Sequence, residues 1–154
     1  MSVTLQLTSP CKVNLLLNIL GRRDDGFHEL ETLIHPVPMC DELRLERVGA
    51  GINFSCNDTR LPIDKTNLVF RAAEAFLKEI NSEEGVRIHL QKNLPIAAGI
   101  GAGSANAGMA LRGLNELWGE LLPNESMQKL AVGLGSDVPF FLQDKPALAL
   151  GRGQ

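Results

Sequence analysis

Leu90-Gln91-Lys92-Asn93-Leu94-Pro95-Ile96-Ala97-Ala98-Gly99-Ile100-Gly101-Ala102-Gly103-Ser104-Ala105-Asn106-Ala107 changes its pattern twice within a short span. Val86 to Leu90 alternates as a strand does. Glycines then recur at 99, 101 and 103, and from about Ser104 the apolar residues Ala107, Ala110, Leu111, Leu114, Leu117 and Trp118 fall on one helical face. A strand, a glycine-rich loop and a helix in this order place free backbone N–H groups and the positive end of a helix dipole at one point. Alternating glycines let the backbone turn and approach an anion closely, and phosphate is the natural ligand. A tight turn with no ligand is the competing reading.

Two common phosphate-binding patterns are excluded by spacing. There is no G-x-x-x-x-G-K-[ST]. The residue at 104 is Ser, so the glycines do not form G-x-G-x-x-G.

Upstream, Thr4 to Thr8 alternates, and Lys12 to Leu20 is apolar enough for a buried strand. Glu42 to Val48 alternates as a strand with one wet face, and Gly51 to Cys56 is placed to pair with it across Gly49-Ala50-Gly51. Val69, Ala72, Ala73, Phe76 and Ile80 then mark a first helix. Downstream of the loop helix, a third helix is expected from Asn124, as N-cap, to about Leu134, and a last strand over Ala147 to Leu150. Strands first and helices interleaved later point to an α+β sandwich, not a doubly wound sheet.

The 154 residues suit one domain with its own core. Hydrophobic residues make up 44% and charged residues 21%, which argues against disorder. No apolar run approaches the roughly 18 residues that span a bilayer, and the N-terminus lacks the layout of a signal peptide. With a net charge of −3 and no basic stripe, nucleic acid is not an expected partner. Cys11, Cys40 and Cys56, like His28, His35 and His89, lack metal-ligand spacing, so no protein metal site is expected. Three reduced thiols fit a cytoplasmic protein.

Three further segments carry residues with two readings each. Asp137, in Leu134-Gly135-Ser136-Asp137-Val138-Pro139, is either a turn residue or a carboxylate set to accept a proton from a hydroxyl. Lys12 and Asn14, two apart in a strand, share one face, and Lys12 either snorkels from the strand end or supplies positive charge near a reacting oxygen. In Gly21-Arg22-Arg23-Asp24-Asp25-Gly26-Phe27-His28-Glu29-Leu30, Asp25-Gly26 marks a tight loop, and local physics does not separate structural from functional roles for Phe27 and His28.

Taken together and in this order, these segments resemble the GHMP kinases. Pro95 to Ala105 matches that family's P-x-x-x-G-L-G-x-G-S-S, Pro10 to Asn14 its P-x-K-x-N, and Leu134 to Pro139 its L-G-x-D-V-P. Gly21 to Leu30 matches G-R-R-x-D-G-[FY]-H-E-L. That element marks the branch acting on a cytidine-diphosphate-linked sugar alcohol in non-mevalonate isoprenoid synthesis. The resemblance covers nearly the whole chain. It implies a two-layer fold like ribosomal protein S5 domain 2, with a left-handed βαβ unit at the phosphate loop. It implies transfer of the γ-phosphate of ATP, with Mg2+, to the 2-hydroxyl of the methylerythritol moiety.

By the same resemblance, Asp137 is the expected base and Lys12 its charged partner. Asn14, Phe27 and His28 are expected at the acceptor substrate, and Asn67 and Lys92 on the adenosine side. Pro95, Ala98, Gly99, Ile100, Gly101, Ala102, Gly103 and Ser104 are expected around the triphosphate. Three positions depart from the family pattern: Ile100 for Leu, Ala102 for Gly and Ala105 for Ser. Ala102 would strain the loop by roughly 1 kcal/mol if its φ were positive. Ala105 removes a hydroxyl that could meet a phosphate or its metal.

Members of the family are longer, so residues 1–154 are expected to be an N-terminal domain without the C-terminal domain that walls the cleft. Weak activity alone and self-association through the face left open follow from that expectation. Two other readings stand: a non-catalytic nucleotide-binding or dimerisation module on the same fold, and a GHMP kinase for another small alcohol.

Overall fold

The computed structural model describes residues 3–26, 28–96, 99–143 and 145–153, with backbone alone at 149 and 151–153. Two of the expected site residues, Phe27 and Ala98, lie outside the described residues.

The chain runs β1 (Thr4–Arg22), β2 (His28–Val48), β3 (Ile52–Cys56), α1 (Leu68–Glu79), β4 (Gly85–Gln91), α2 (Ala102–Leu117), α3 (Asn124–Leu134), a short 3₁₀ helix (Val138–Leu142) and β5 (Ala147–Gly153). The sheet order is β1-β2-β4-β3, with β5 on the first part of β2. All pairs are antiparallel except β3 with β4, which α1 joins as a parallel crossover.

Alternation decides which face of the sheet is covered. Leu43 and Leu45 of β2 and Val86, Ile88 and Leu90 of β4 point inward. They meet Val69, Ala72, Ala73 and Phe76 of α1, Ala107, Ala110, Leu111 and Leu114 of α2, and Met127 and Ala131 of α3. Each large side chain so buried contributes about 1.5–3 kcal/mol. The outer face carries Arg44, Arg87 and His89, and the Ser55 hydroxyl lies 2.8 Å from His89 Nδ1 across the β3–β4 pair. The result is the two-layer α+β sandwich read from the sequence.

Four local expectations are corrected. First, β3 does not pair with the end of β2, because β4 lies between them. A hairpin would have left β4 at an edge, whereas insertion buries Val86, Ile88 and Leu90 between two neighbours. Gly85 permits this, since a Cβ there would sit 2.0 Å from the carbonyl oxygen of Gly51. Second, Lys12 to Leu20 forms part of one long β1 but is not buried as a whole: Leu15, Leu16, Leu17, Ile19 and Leu20 are exposed. The helices cover the sheet where residues 4–10 of β1 pair with residues 40–46 of β2, and α2 and the 3₁₀ helix reach on to Cys11, Ile34 and Ala147. The outer half of β1, with the start of β2 and β5, projects beyond them as a three-stranded arm. Third, α2 begins at Ala102, two residues before Ser104. Fourth, Asn124 is the first residue of α3, and Pro123 occupies the cap position.

Candidate active site

Two glycines shape the loop between β4 and α2. Gly99 has φ +70° and Gly101 φ +68°, the left-handed region in which a side chain is strained. Gly101 caps α2 without a side chain, and no acidic residue occupies the first turn, so the helix N-terminus is open to an anion. Ala102 is not among the positive-φ residues; it is helical, and its methyl is buried with Cys11 and Leu94. The strain anticipated there is absent, because the left-handed positions are 99 and 101. Ala105 is buried with Ile34, Phe140 and Phe141, so a hydroxyl at this position would face an apolar cluster.

The loop lines a cavity of about 370 Å³, within the range of small-molecule clefts, about 300–1,000 Å³. Asn67, Lys92, Pro95, Gly99, Ile100, Gly101, Ala102, Gly103 and Ser104 all border it. Pro62, Thr66 and Leu68 form the opposite wall. Asn67 is fixed as the cap of α1: its side-chain oxygen accepts from the Val69 N–H at 2.9 Å, and its Nδ2 donates to the Pro62 carbonyl at 3.0 Å. Lys92 borders the cavity, but its ammonium turns inward to Asp41 and to Asn106 Oδ1. Its cation is therefore committed inside the protein and is not presented to the cavity.

Next to the loop, Lys12 lies with only 8% of its side chain exposed. Its N–H donates to the Ile100 carbonyl at 2.9 Å, which ties β1 to the glycine loop. Its stem runs against Gly101, where a Cβ would come within 3.0 Å of Lys12 Cε. The ammonium donates to Asn14 Oδ1 at 2.9 Å and stands 3.5 Å from Asp137 Oδ2. The full burial of a cation is tolerable only with such partners. Lys12 does not reach out to solvent from the strand end, as a snorkelling lysine would.

Asp137 comes from the opposite end of the chain, in the turn between α3 and the 3₁₀ helix. That turn is placed by a close approach. A Cβ on Gly108 of α2 would lie 2.7 Å from Phe141 Cβ and 3.1 Å from the Val138 carbonyl, so only glycine lets the 3₁₀ helix settle on α2. Phe141 is buried there, and Asp137, 42% exposed, faces the open side. The structure thus brings together Lys12, Asn14, Asp137 and the glycine loop. His28 is exposed at the outer end of the arm, opposite Arg22, whereas Lys12 pairs with Pro36 nearer the body.

The sequence reading missed the polar cluster beneath the loop. Asp41 is fully buried and accepts from Lys92 Nζ, from Asn106 Nδ2 at 3.0 Å, and from the N–H groups of Asn93 and Leu94 at 2.7 and 2.8 Å. Burial opposes its charge, but the hydrogen bonds from Lys92, Asn106, Leu94 and Asn93 outweigh it and hold the carboxyl below the usual carboxylate range. An Asp ahead of an alternating strand reads as a turn residue, and nothing in the linear pattern signals its burial.

Residues 67–145, just over half of the chain, match the family model described as GHMP kinases N terminal domain. The chain belongs to the GHMP kinases. Among relatives of this GHMP kinase domain, 4-diphosphocytidyl-2-C-methyl-D-erythritol kinase of Synechococcus sp. (strain JA-2-3B'a(2-13)) is 43% identical over 148 residues, 96% of this chain and 48% of its own length. The protein of the same name from Chloroherpeton thalassium is 46% identical over 142 residues, 92% of this chain and 49% of its own. A crystal structure of 4-(cytidine 5'-diphospho)-2C-methyl-D-erythritol kinase superposes with a TM-score of 0.86 at 39% identity, covering 96% of this GHMP kinase chain and 52% of that one. The chain spans about half the length of the curated relatives it matches. No helix among the described residues is long and apolar enough to cross a membrane.

Proposed function

We propose that this chain is the nucleotide-binding and catalytic domain of a cytoplasmic kinase that transfers the γ-phosphate of ATP to the 2-hydroxyl of 4-diphosphocytidyl-2-C-methyl-D-erythritol. The observation that carries the reading is the Lys12–Asp137 pair set against Gly101, where a triphosphate held by the loop would end. A module that only bound nucleotide would need neither a buried lysine nor a carboxylate beside it.

The chemistry follows from the placement. The Asp137 carboxylate takes the proton of the acceptor hydroxyl, the oxygen bonds to the γ-phosphorus, and the bond to the β-phosphate oxygen breaks to leave ADP. Lys12 supplies positive charge where the transferred group gathers negative charge, and Asn14 holds the ammonium in place. The N-terminus of α2 takes the phosphates. Asn67 and Lys92, which border the cavity, are assigned to the nucleoside end, with Phe27 and His28 at the cytosine.

Mg2+ would arrive with the triphosphate, where it neutralises charge on the β- and γ-phosphates. Such an ion keeps water and phosphate as most of its ligands, so few protein groups need reach it. Ser104, on the first turn of α2 and bordering the cavity, is the hydroxyl that fits it.

The exposed apolar residues of the arm, Leu15, Leu17, Ile19, Leu20, Leu148 and Leu150, belong to the same reading. As an exposed apolar patch they favour self-association of this chain. The test is saturation of the purified chain with a fluorescent ATP analogue, followed by a coupled ADP-release assay with the cytidine-linked acceptor on a full-length relative. Lack of acceptor-dependent ADP release there, with homoserine or mevalonate as competing acceptors, would move the reading to another small alcohol.

A further inference from the structure

We propose that Asp41 is a positioning residue for the nucleotide, a buried carboxylate that clamps both stems of the glycine-rich loop in register; this rests on the kinase reading above. One oxygen, Oδ1, holds the N–H groups of Asn93 and Leu94, where the chain leaves β4 and enters the loop. The other, Oδ2, holds Asn106 on the second turn of α2, where the loop has already become helix. The two stems are thus tied to the two oxygens of one side chain. Lys92 Nζ closes the cluster by donating to both Asp41 Oδ2 and Asn106 Oδ1, and Asn106 Nδ2 adds a bond to Ser9 Oγ of β1 at 2.9 Å.

The cost of such a cluster is the argument for its role. A buried ion pair is no more stabilising than a well-packed apolar pair of the same volume. The surroundings would accept one, since Cys11, Leu94 and Ala102 already form an apolar contact between the same two stems. What apolar contacts lack is direction. Two backbone N–H groups and an amide held by one carboxylate set the angle at which the loop leaves the sheet, and hence where the N–H groups of Gly101 to Ser104 point. Phosphate recognition depends on that angle. The same loop carries the Ile100 carbonyl that holds the Lys12 backbone, so its register also reaches the Lys12–Asp137 pair.

The test separates folding from alignment. The purified 154-residue chain is compared with the Asp41→Leu/Lys92→Met double variant, which removes both charges together, and with Asn106→Ala, which cuts the helix stem from Asp41, Lys92 and Ser9 but leaves Asp41 on the Asn93 and Leu94 N–H groups. Thermal unfolding, binding of a fluorescent ATP analogue with Mg2+, and amide hydrogen exchange over residues 93–106 are measured on each. The expected result is a folded double variant that binds the analogue about tenfold or more weakly, the alignment of one charge-assisted hydrogen bond, with faster exchange confined to the loop and first turn of α2. Asn106→Ala should show the same pattern in smaller degree. A folded variant of either kind with wild-type affinity and wild-type exchange overturns the clamp. Should the wild-type chain bind no ATP analogue, the kinase reading fails, and the exchange data alone then decide whether Asp41 holds the loop.

Discussion

Lys12 Nζ stands 3.5 Å from Asp137 Oδ2 and 2.9 Å from Asn14 Oδ1, with its stem packed on Gly101. One buried cation therefore touches the proposed base, a neighbour on its own strand and the phosphate loop. Loss of the carboxylate should affect chemistry and spare nucleotide binding. Asp137→Asn is expected to leave the affinity of this chain for an ATP analogue nearly unchanged. At the matching position of a full-length relative it should lower turnover about 10²–10⁴-fold. Near-normal kcat at saturating acceptor would reduce Asp137 to a turn residue.

Gly101 should tolerate no side chain. Its φ of +68° disfavours any L-residue, and a Cβ would press on Lys12 Cε at 3.0 Å. Gly101→Ala is expected to lose about 1–2 kcal/mol of stability in urea unfolding and to weaken ATP-analogue binding. Ala102→Gly, one residue along, should do neither beyond the ordinary helix cost of about 1 kcal/mol, since that position is already helical. Equal weakening of ATP-analogue binding at both sites would contradict the assignment of loop strain to 101.

The chain alone is expected to fold, to bind ATP weakly and to turn over little or no acceptor. Positioning of two reactants supplies roughly 7–11 kcal/mol of a barrier, and this chain spans about half the length of its curated relatives. Sizing should show association that falls when Leu17 and Ile19, both exposed on β1, are replaced by Ser. Acceptor-dependent turnover at ordinary rates from a monomeric chain would contradict both points.

Acid should reveal the buried carboxylate. Because the folded pKa of Asp41 lies below its unfolded value of about 3.9, the stability it contributes is complete above that value and disappears as pH falls through the lower folded value. Asp58, held at about 2 by its hydrogen bonds from Arg60, and Asp64, held low by Thr66, act in the same direction. The difference between wild type and the Asp41→Leu/Lys92→Met variant isolates Asp41. The wild-type thermal midpoint minus that of the variant should fall as pH drops below about 4. A difference that is constant with pH would mean that Asp41 is not charged in the folded chain.

The elements and the loop chemistry were legible because they depend on neighbours in sequence. The period of Val69 to Ile80 marks α1, the alternation of Val86 to Leu90 marks β4, and Gly99 and Gly101 mark the turns that only glycine makes freely. The candidate site residues along the loop are likewise local, and all of those described border one cavity. Strand order was not legible. Gly49-Ala50-Gly51 looks like a hairpin turn, and the choice of β4 over β2 as the partner of β3 turns on burying β4 from both sides.

What the sequence determined by itself is the set of chemical groups and the short-range backbone: an open helix N-terminus, a lysine and an asparagine on one strand face, and an aspartate in a turn. What only the tertiary structure decided is which of them meet, because a contact between β1 and the turn before the 3₁₀ helix depends on packing that no local pattern encodes. Gly108 makes room for Phe141, and so brings Asp137 to Lys12. Lys92 and Asp41 carry the same lesson. Each is an ordinary charged residue in the linear pattern, and only the closing of the sheet onto α2 removes both from water and leaves them each other, with Asn106, as partners.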